Sequence, residues 1–178
     1  MTAALLRDAL FSAAWFGLMT CVWLGWAQEG PPEKARPWLG AGSVVGILVA
    51  IGGGIQVARF WDTPTALDGQ YHWFGVIVAA EVVAAGLGCL VLAKRGLQRY
   101  FASWVAIVVA LHFVPLGLML DDWSMIVLGV VQCALVVAVT AWVRRRPLTP
   151  SFPIGVAMGS TLLVYAVATA IRVAPEVF

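Results

Sequence analysis

Residues 71–92 read YHWFGVIVAAEVVAAGLGCLVL, an apolar run that contains one acidic side chain, Glu81, and no proline. Since an α-helix rises about 1.5 Å per residue, a run of this length crosses a bilayer hydrocarbon core about 30 Å thick. Two charged residues, Lys94 and Arg95, follow the run and mark its end. The stretch therefore predicts a transmembrane helix.

The same pattern recurs along the chain, in runs separated by short segments that carry charge or proline. Glu29–Pro32 is one such break, because its two prolines cannot continue a helix. Since the breaks are short, neighbouring helices should be antiparallel within a single polytopic domain, residues 1–178. We predict an all-α integral membrane protein, a compact bundle of six transmembrane helices over about residues 8–28, 37–60, 71–92, 100–120, 123–143 and 152–173.

The composition agrees with this fold class. Hydrophobic residues make up 62% of the chain and charged residues 11%, against about 45–50% and about 25% in soluble domains. A chain of 178 residues with this excess cannot hide its apolar surface in a water-facing core. The formal net charge of +2 is spread over several short loops, which argues against a nucleic-acid partner. Membrane lipids are the expected surroundings.

The basic residues predict how the bundle is oriented. One side of it receives Lys34, Arg36, Lys94, Arg95, Arg99, Arg144, Arg145 and Arg146, and the other receives Arg7, Arg59 and Arg172. Because basic loops stay in the cytoplasm, both termini should be external in a multi-pass protein of the cell (cytoplasmic) membrane. The first apolar run has only a weak basic region before it, so it is expected to be a retained helix and not a signal peptide.

Small residues recur every four positions on three of the predicted helices. They are Gly42, Gly46, Ala50 and Gly54 on the second, Ala80, Ala84 and Gly88 on the third, and Gly155 and Gly159 on the sixth. Such faces let helix backbones approach closely in lipid. They can serve packing within the bundle or the contact of a homodimer, and the sequence leaves both open.

Several polar side chains fall inside the apolar runs, where ionisable groups are costly and are functional candidates. Counted from the external ends of their helices, Glu81 lies about 15 Å deep in the third and His112 about 12 Å deep in the fourth, at about 1.5 Å per residue. Gln132 and Tyr165 lie at similar depths, and Gln56 and Arg59 lie nearer the external end. Together they predict a polar funnel that opens outward, with Glu81 at its floor.

Glu81 and His112 are expected to share one polar site. Their helices are sequential and joined by a short loop, and their depths differ by about 3 Å. An unpaired carboxylate at this depth is several kcal/mol too costly, so Glu81 needs a partner or a proton. Pro115 removes a backbone hydrogen bond one turn beyond His112, and a bend there would aim the imidazole inward.

Three functions are compatible with these residues. The first is binding or transport of a small apolar or cationic ligand or an ion, with proton coupling at Glu81, His112 and Gln132. The second is an enzyme acting on a lipid or isoprenoid, with Glu81 and His112 catalytic and aromatic rings stabilising a carbocation. The third is an accessory subunit without a site of its own. The substrate-binding candidates are Gln132, Tyr165, Gln56, Trp15, Arg59 and Trp123, with Phe74 as a further aromatic ring.

Other classes of site are not expected. Lys34 and Lys94 lie at membrane edges, which disfavours a Schiff-base chromophore. Two histidines and three cysteines without ligand spacing predict no metal centre, and no nucleotide-binding motif is present, so we expect no cofactor. The segment Asp121-Asp122-Trp123 is interpreted as a solvated turn followed by a tryptophan anchored at the membrane interface.

Overall fold

The computed structural model describes residues 5–146 and 148–177, and this part of the chain contains six long α-helices. They are α1 Leu6–Trp26, α2 Arg36–Arg59, α3 Tyr71–Lys94, α4 Phe101–Met119, α5 Trp123–Val143 and α6 Ser151–Val177. Each lies in a stretch that is long and apolar enough to cross a membrane. The predicted all-α chain with six such helices is therefore confirmed. Insertion into a membrane and the external placement of both termini stay predictions.

Local chemistry explains where the helices begin and end. Pro37 lies in the first turn of α2, where a proline costs no hydrogen bond. The turn between α4 and α5 places Asp121 at φ 49°, a left-handed conformation that aspartate tolerates better than most residues. Asp122 then caps α5, because its Oδ1 accepts hydrogen bonds from the backbone N–H of Ser124 at 3.0 Å and of Met125 at 3.2 Å. The largest departure from the predicted bounds is at α6, which ends at Val177.

The glycine faces pack inside the bundle. A Cβ at Gly46 of α2 would lie 2.6 Å from the carbonyl oxygen of Gly17 of α1. A Cβ at Gly155 of α6 would lie 2.5 Å from the carbonyl oxygen of Trp23, also on α1. Such distances require glycine, so α1 is the central helix on which α2 and α6 pack in antiparallel orientation.

One member of the predicted α2 face does not take part in this contact. A Cβ at Gly54 would meet no atom within 4 Å, whereas one at Gly53 would lie 3.0 Å from the Cβ of Ala14. An α-helix has 3.6 residues per turn, so a strict four-residue repeat rotates away from a fixed partner. At that end of the contact between α1 and α2, Gly53 and not Gly54 therefore faces α1.

The main hydrophobic core joins α1, α4, α5 and α6. The ring of Phe16 meets Phe113 and Tyr165 edge to face, with centroid distances of 5.2 Å and 5.1 Å, and so links three helices. The buried members of this cluster are Phe16, Trp23, Ala102, Ala106, Phe113, Leu116, Leu120, Met125, Leu128, Val136, Ile154, Met158, Leu162, Tyr165 and Ala166. The interior of these four helices is consequently filled by side chains.

The helices α2 and α3 lie at the periphery. α3 has no fully buried residue and packs almost entirely against α4. The loop between α2 and α3 is held at the start of α1, where Asp8 accepts hydrogen bonds from the Thr65 hydroxyl at 2.5 Å and from the Ala66 N–H at 2.8 Å. Arg7 donates to the carbonyl oxygen of Thr63 at 3.1 Å beside it. α3 is thus held to the rest of the bundle mainly at this loop, which binds the start of α1, and along the one face that packs on α4.

Candidate functional site

The imidazole of His112 on α4 faces the carboxyl group of Glu81 on α3. The distance from Nδ1 of His112 to Oε1 of Glu81 is 3.5 Å, and the two side chains are 14% and 18% exposed. The structure therefore brings together Glu81 and His112, the two residues that were predicted from the sequence to share one polar site. They meet at the contact between the peripheral helix α3 and the core helix α4, and not in the centre of the bundle.

The hydrogen bonds of His112 determine where its protons lie. Nδ1 is 2.7 Å from the carbonyl oxygen of Val109, one turn earlier on α4. A carbonyl oxygen only accepts hydrogen bonds, so Nδ1 must carry the hydrogen. The Glu81 carboxyl oxygen also faces Nδ1, but at 3.5 Å it is further from this nitrogen than the Val109 carbonyl oxygen. A further proton can consequently enter the pair only at Nε2 of His112 or at the carboxyl group of Glu81.

Trp104 fixes the position of α3 beside this pair. Its Nε1 donates a hydrogen bond of 3.0 Å to the carbonyl oxygen of Ala84. A Cβ at Gly88 would lie 1.9 Å from that same Nε1, so the indole occupies the space that glycine leaves. Glu81, Ala84 and Gly88 follow each other on one face of α3. The tryptophan contact therefore turns Glu81 toward α4.

A second polar cluster joins α5 to α6. Asp122 is fully buried, and its Oδ2 accepts a hydrogen bond of 2.5 Å from the Tyr165 hydroxyl. The Ser124 hydroxyl donates to Oδ1 of Asp122 at 2.5 Å and lies 3.1 Å from the Tyr165 hydroxyl. The interpretation of this segment as a solvated turn is wrong for Asp122, which caps α5 from inside the fold. It is right for Asp121, which is exposed.

Two buried polar atoms near this cluster lack a hydrogen-bond partner among the described residues. They are Oε1 of Gln132 and Oγ1 of Thr169. The amide nitrogen of Gln132 does have a partner, since it donates 2.8 Å to the Thr161 hydroxyl. An unpartnered buried polar atom costs about 1–3 kcal/mol. Such atoms indicate a place where a further polar group can bind.

A groove of about 480 Å³ lies between α5 and α6, and Thr169, though not Gln132, is among the residues that line it. Its lining includes Ser124, Thr169 and Tyr165 at one end and Thr161 at the other, with valines between them. No charged side chain lines it. Volumes of about 300–1,000 Å³ are typical of small-molecule sites. The groove is thus an apolar trough with hydroxyl groups at both ends.

The predicted site residues do not form one funnel. Gln56 and Arg59 interact with each other on α2, where Nη1 of Arg59 lies 3.4 Å from Oε1 of Gln56. Gln132 and Tyr165 belong to the α5–α6 contact, and Glu81 belongs to the α3–α4 contact. The prediction of a common funnel with Glu81 at its floor is therefore corrected to separate polar clusters on different helix pairs.

The aromatic candidates are also dispersed. Trp15 is 47% exposed and lines a separate groove between α1 and α2. Trp123 is 62% exposed at the start of α5. Phe16, the neighbour of Trp15, is the residue that packs against Tyr165. Trp15 and Tyr165, two of the rings considered for stabilising a carbocation, hence line different grooves and do not surround one chamber.

Some residues of the second cluster were missed although the sequence carries a signal for them. An aspartate immediately before an apolar helical run is a frequent helix N-cap, which describes Asp122. Thr161, Tyr165 and Thr169 recur every four positions and so mark one polar face of α6. The short segment between Val143 and Ser151 predicts α5 and α6 to be antiparallel neighbours, but it does not predict the rotation that turns this face of α6 toward α5.

Comparison with protein-family models, with curated proteins and with solved structures finds no match for this chain. The functional argument consequently rests on the geometry of its own residues.

Proposed function

We propose that this chain is a multi-pass protein of the cell membrane that binds or transports a small cationic ligand or ion in exchange for a proton at the Glu81–His112 pair. The observation that supports the proposal is the 3.5 Å approach of an imidazole to a carboxyl group within two apolar helices. Ionisable groups at such depth are costly and are retained where they serve ion or proton pathways.

The charge of the pair explains the exchange. With one proton bound in addition to that on Nδ1, the pair is either a neutral acid beside a neutral imidazole or a carboxylate beside an imidazolium. Both forms have zero net charge. Loss of this proton leaves one uncompensated negative charge in apolar surroundings, which costs several kcal/mol. A monovalent cation that enters as the proton leaves restores neutrality, so cation and proton compete for one site.

The peripheral position of the pair gives such a ligand a route. α3 packs almost entirely against α4, and its remaining surface is exposed. A lipophilic cation dissolved in the membrane can therefore reach Glu81 from the side without crossing the filled core. The weak attachment of α3 also makes it the element whose position a change of charge at Glu81 would alter.

Proton release on cation binding tests the proposal. Tetraphenylphosphonium is added to the protein in weakly buffered detergent, and the proton release is followed with a pH indicator. We expect release for the wild-type protein, none for Glu81→Gln and a reduced release for His112→Ala. Gln56→Ala, a polar change on α2, is the matched control and should release protons normally. Equal release by folded Glu81→Gln and wild type would refute a role of the pair.

Transport is tested separately from binding. The protein is reconstituted in vesicles with an internal pH indicator, and a tetraphenylphosphonium gradient is imposed. Proton movement above that of protein-free vesicles, lost in Glu81→Gln, is the expected result. Proton release in detergent without movement in vesicles would restrict the function to binding.

The enzyme alternative is less favoured by the arrangement of side chains. That reaction would need aromatic rings around an acid, whereas Trp15 and Tyr165 line different grooves and α3, which carries Glu81, packs almost entirely against α4. The role of an accessory subunit would be favoured if both the release and the vesicle experiment were negative.

A further inference from the structure

We propose that the groove between α5 and α6 binds an uncharged single-chain lipid that carries a hydroxyl group, with its chain along the valines and its hydroxyl at Thr169. This site is distinct from the Glu81–His112 pair, which lies between α3 and α4. It does not depend on the function proposed for that pair.

The polar end of the groove is the first argument. Thr169 lines the groove and is 1% exposed, and its Oγ1 has no hydrogen-bond partner among the described residues. Ser124 and Tyr165 line the same end. Their hydroxyl groups both donate hydrogen bonds to Asp122, which does not itself line the groove. Because Oγ1 of Thr169 is buried, it must turn into the groove by rotation of the side chain, after which it can donate to a ligand hydroxyl that in turn donates to a neighbouring hydroxyl oxygen. The ligand thereby supplies the partner that the protein lacks.

The neutrality of the lining is the second argument. Every side chain that lines the groove is aliphatic, hydroxyl-bearing or the tyrosine ring. Asp122 lies behind this layer and is already engaged by Tyr165, by Ser124 and by the start of α5. The guanidinium of Arg172 is close enough to act electrostatically on the Tyr165 hydroxyl, but it does not line the groove. A charged head group would thus find no counter-charge in the lining, whereas an uncharged hydroxyl would find hydrogen-bond partners.

The length and direction of the groove are the third argument. Thr169 and Thr161, at its two ends, are eight residues apart on α6, about 12 Å at about 1.5 Å per residue. The end with Thr169 also contains Ser124, next to the expected interface residue Trp123, so a head group there lies near the membrane interface and its chain runs inward. A fatty or prenyl alcohol, whose single hydroxyl loses little hydration, can place its head there and its chain beside Val127, Val131 and Val164.

The molecule contains a matched control for this site. The groove between α1 and α2 has a volume of about 220 Å³, and no hydroxyl group lines it. Trp15 and Gly54 are among the residues that line it. Both grooves lie between neighbouring helices, but only the one between α5 and α6 has hydroxyl groups. A membrane lipid that merely fills space should enter both without regard to a hydroxyl.

Photolabelling can distinguish a lipid that is bound through its hydroxyl group from a lipid that merely fills space. The full chain in lipid nanodiscs is labelled with an alkanol that bears a diazirine at mid-chain, and in parallel with the alkane of the same chain length. Peptide mass spectrometry gives the ratio of alkanol to alkane labelling for each groove. We expect a ratio at least several-fold higher between α5 and α6 than between α1 and α2. Equal ratios in the two grooves would overturn the proposal and indicate space-filling lipid only.

Variants at Thr169 complete the test. Thr169→Val keeps the shape and removes the hydroxyl, so the ratio should fall to that of the α1–α2 groove, whereas Thr169→Ser should preserve it. Thr140→Val, a change on α5 outside the groove lining, should leave the ratio unaltered. If Thr169→Val fails to fold, Ser124→Ala is measured in its place, with a fall expected. An unchanged ratio in the folded variant would refute the assignment of the hydroxyl to this end.

Discussion

The hydroxyl of Tyr165 donates a hydrogen bond of 2.5 Å to Oδ2 of Asp122, and so ties the middle of α6 to the first turn of α5. Few other contacts join these two helices, because α5 packs mainly on α4 and α6 mainly on α1. The bond bridges the two halves of the core at one end of the groove between α5 and α6. The stability of the bundle should consequently depend on it.

Tyr165→Phe tests this bond. The change keeps the ring against Phe16 and removes only the donor, so a buried carboxyl oxygen loses a partner. We expect a loss of about 1–3 kcal/mol in the free energy of unfolding, measured by denaturation in mixed detergent micelles. Tyr100→Phe, at the opposite end of the bundle, is the matched control and should have little effect. Equal losses for the two variants would contradict the importance of the bond.

A second prediction concerns the crossing of α1 and α2. Gly46→Ala places a methyl group 2.6 Å from the carbonyl oxygen of Gly17, a separation that backbone atoms cannot keep. We expect destabilisation of about 1–3 kcal/mol, as in other overpacked cores, and Gly46→Leu should disrupt the fold. Gly54→Ala on the same helix meets no atom within 4 Å and should be neutral. If the two alanine variants unfold alike, the close crossing is not what holds α2.

The position of α3 gives a third prediction. Trp104→Phe removes the hydrogen bond to Ala84 and part of the surface that fills the space above Gly88. Because α3 packs almost entirely on α4, we expect faster amide hydrogen exchange along α3 and little change in α1. Trp38→Phe alters an indole that is 79% exposed and serves as the control. Unchanged exchange in α3 would show that Trp104 does not hold it.

Membrane topology gives a fourth prediction. In a chain whose native cysteines are replaced by alanine, cysteines at Asp68 and Asp121 should react with an impermeant reagent from outside, and those at Gly96 and Arg145 only from the cytoplasmic side. These four positions are exposed. Asp122 is unsuitable for such labelling because it is buried. Pro147, another position that the sequence suggests for the cytoplasmic side, lies outside the described residues. Reversed reactivity would invert the orientation.

The sequence was sufficient for the helices and for one pair of side chains. Prolines and charged residues end the apolar runs, and these signals act locally, so α5 was predicted with its observed bounds, Trp123–Val143. Glu81 and His112 could be paired because a short loop makes α3 and α4 antiparallel neighbours and sets their relative depth. No information about more distant helices was needed.

The rotation of each helix about its axis could not be predicted in the same way. Trp15 and Phe16 differ by one position, which is about 100° around a helix, yet Phe16 is buried in the core and Trp15 is exposed. Helices of this kind are apolar on every face, so they lack the polar side that orients a helix in a water-soluble protein. The single funnel was predicted for this reason, since depth was known for each polar residue but direction was not.

The interaction between Glu81 and His112 can be measured without knowing the ligand. If the carboxyl and imidazole groups stabilise each other across 3.5 Å, Glu81→Ala and His112→Ala should each destabilise the bundle, because each removes this interaction. The double variant removes both groups, so its loss should be smaller than the sum of the two single losses. A coupling of about 0.5–3 kcal/mol is expected for residues in direct contact. Losses that add within about 0.3–0.5 kcal/mol would mean that the pair is close but not coupled, and proton exchange at a shared site would then lose its physical basis.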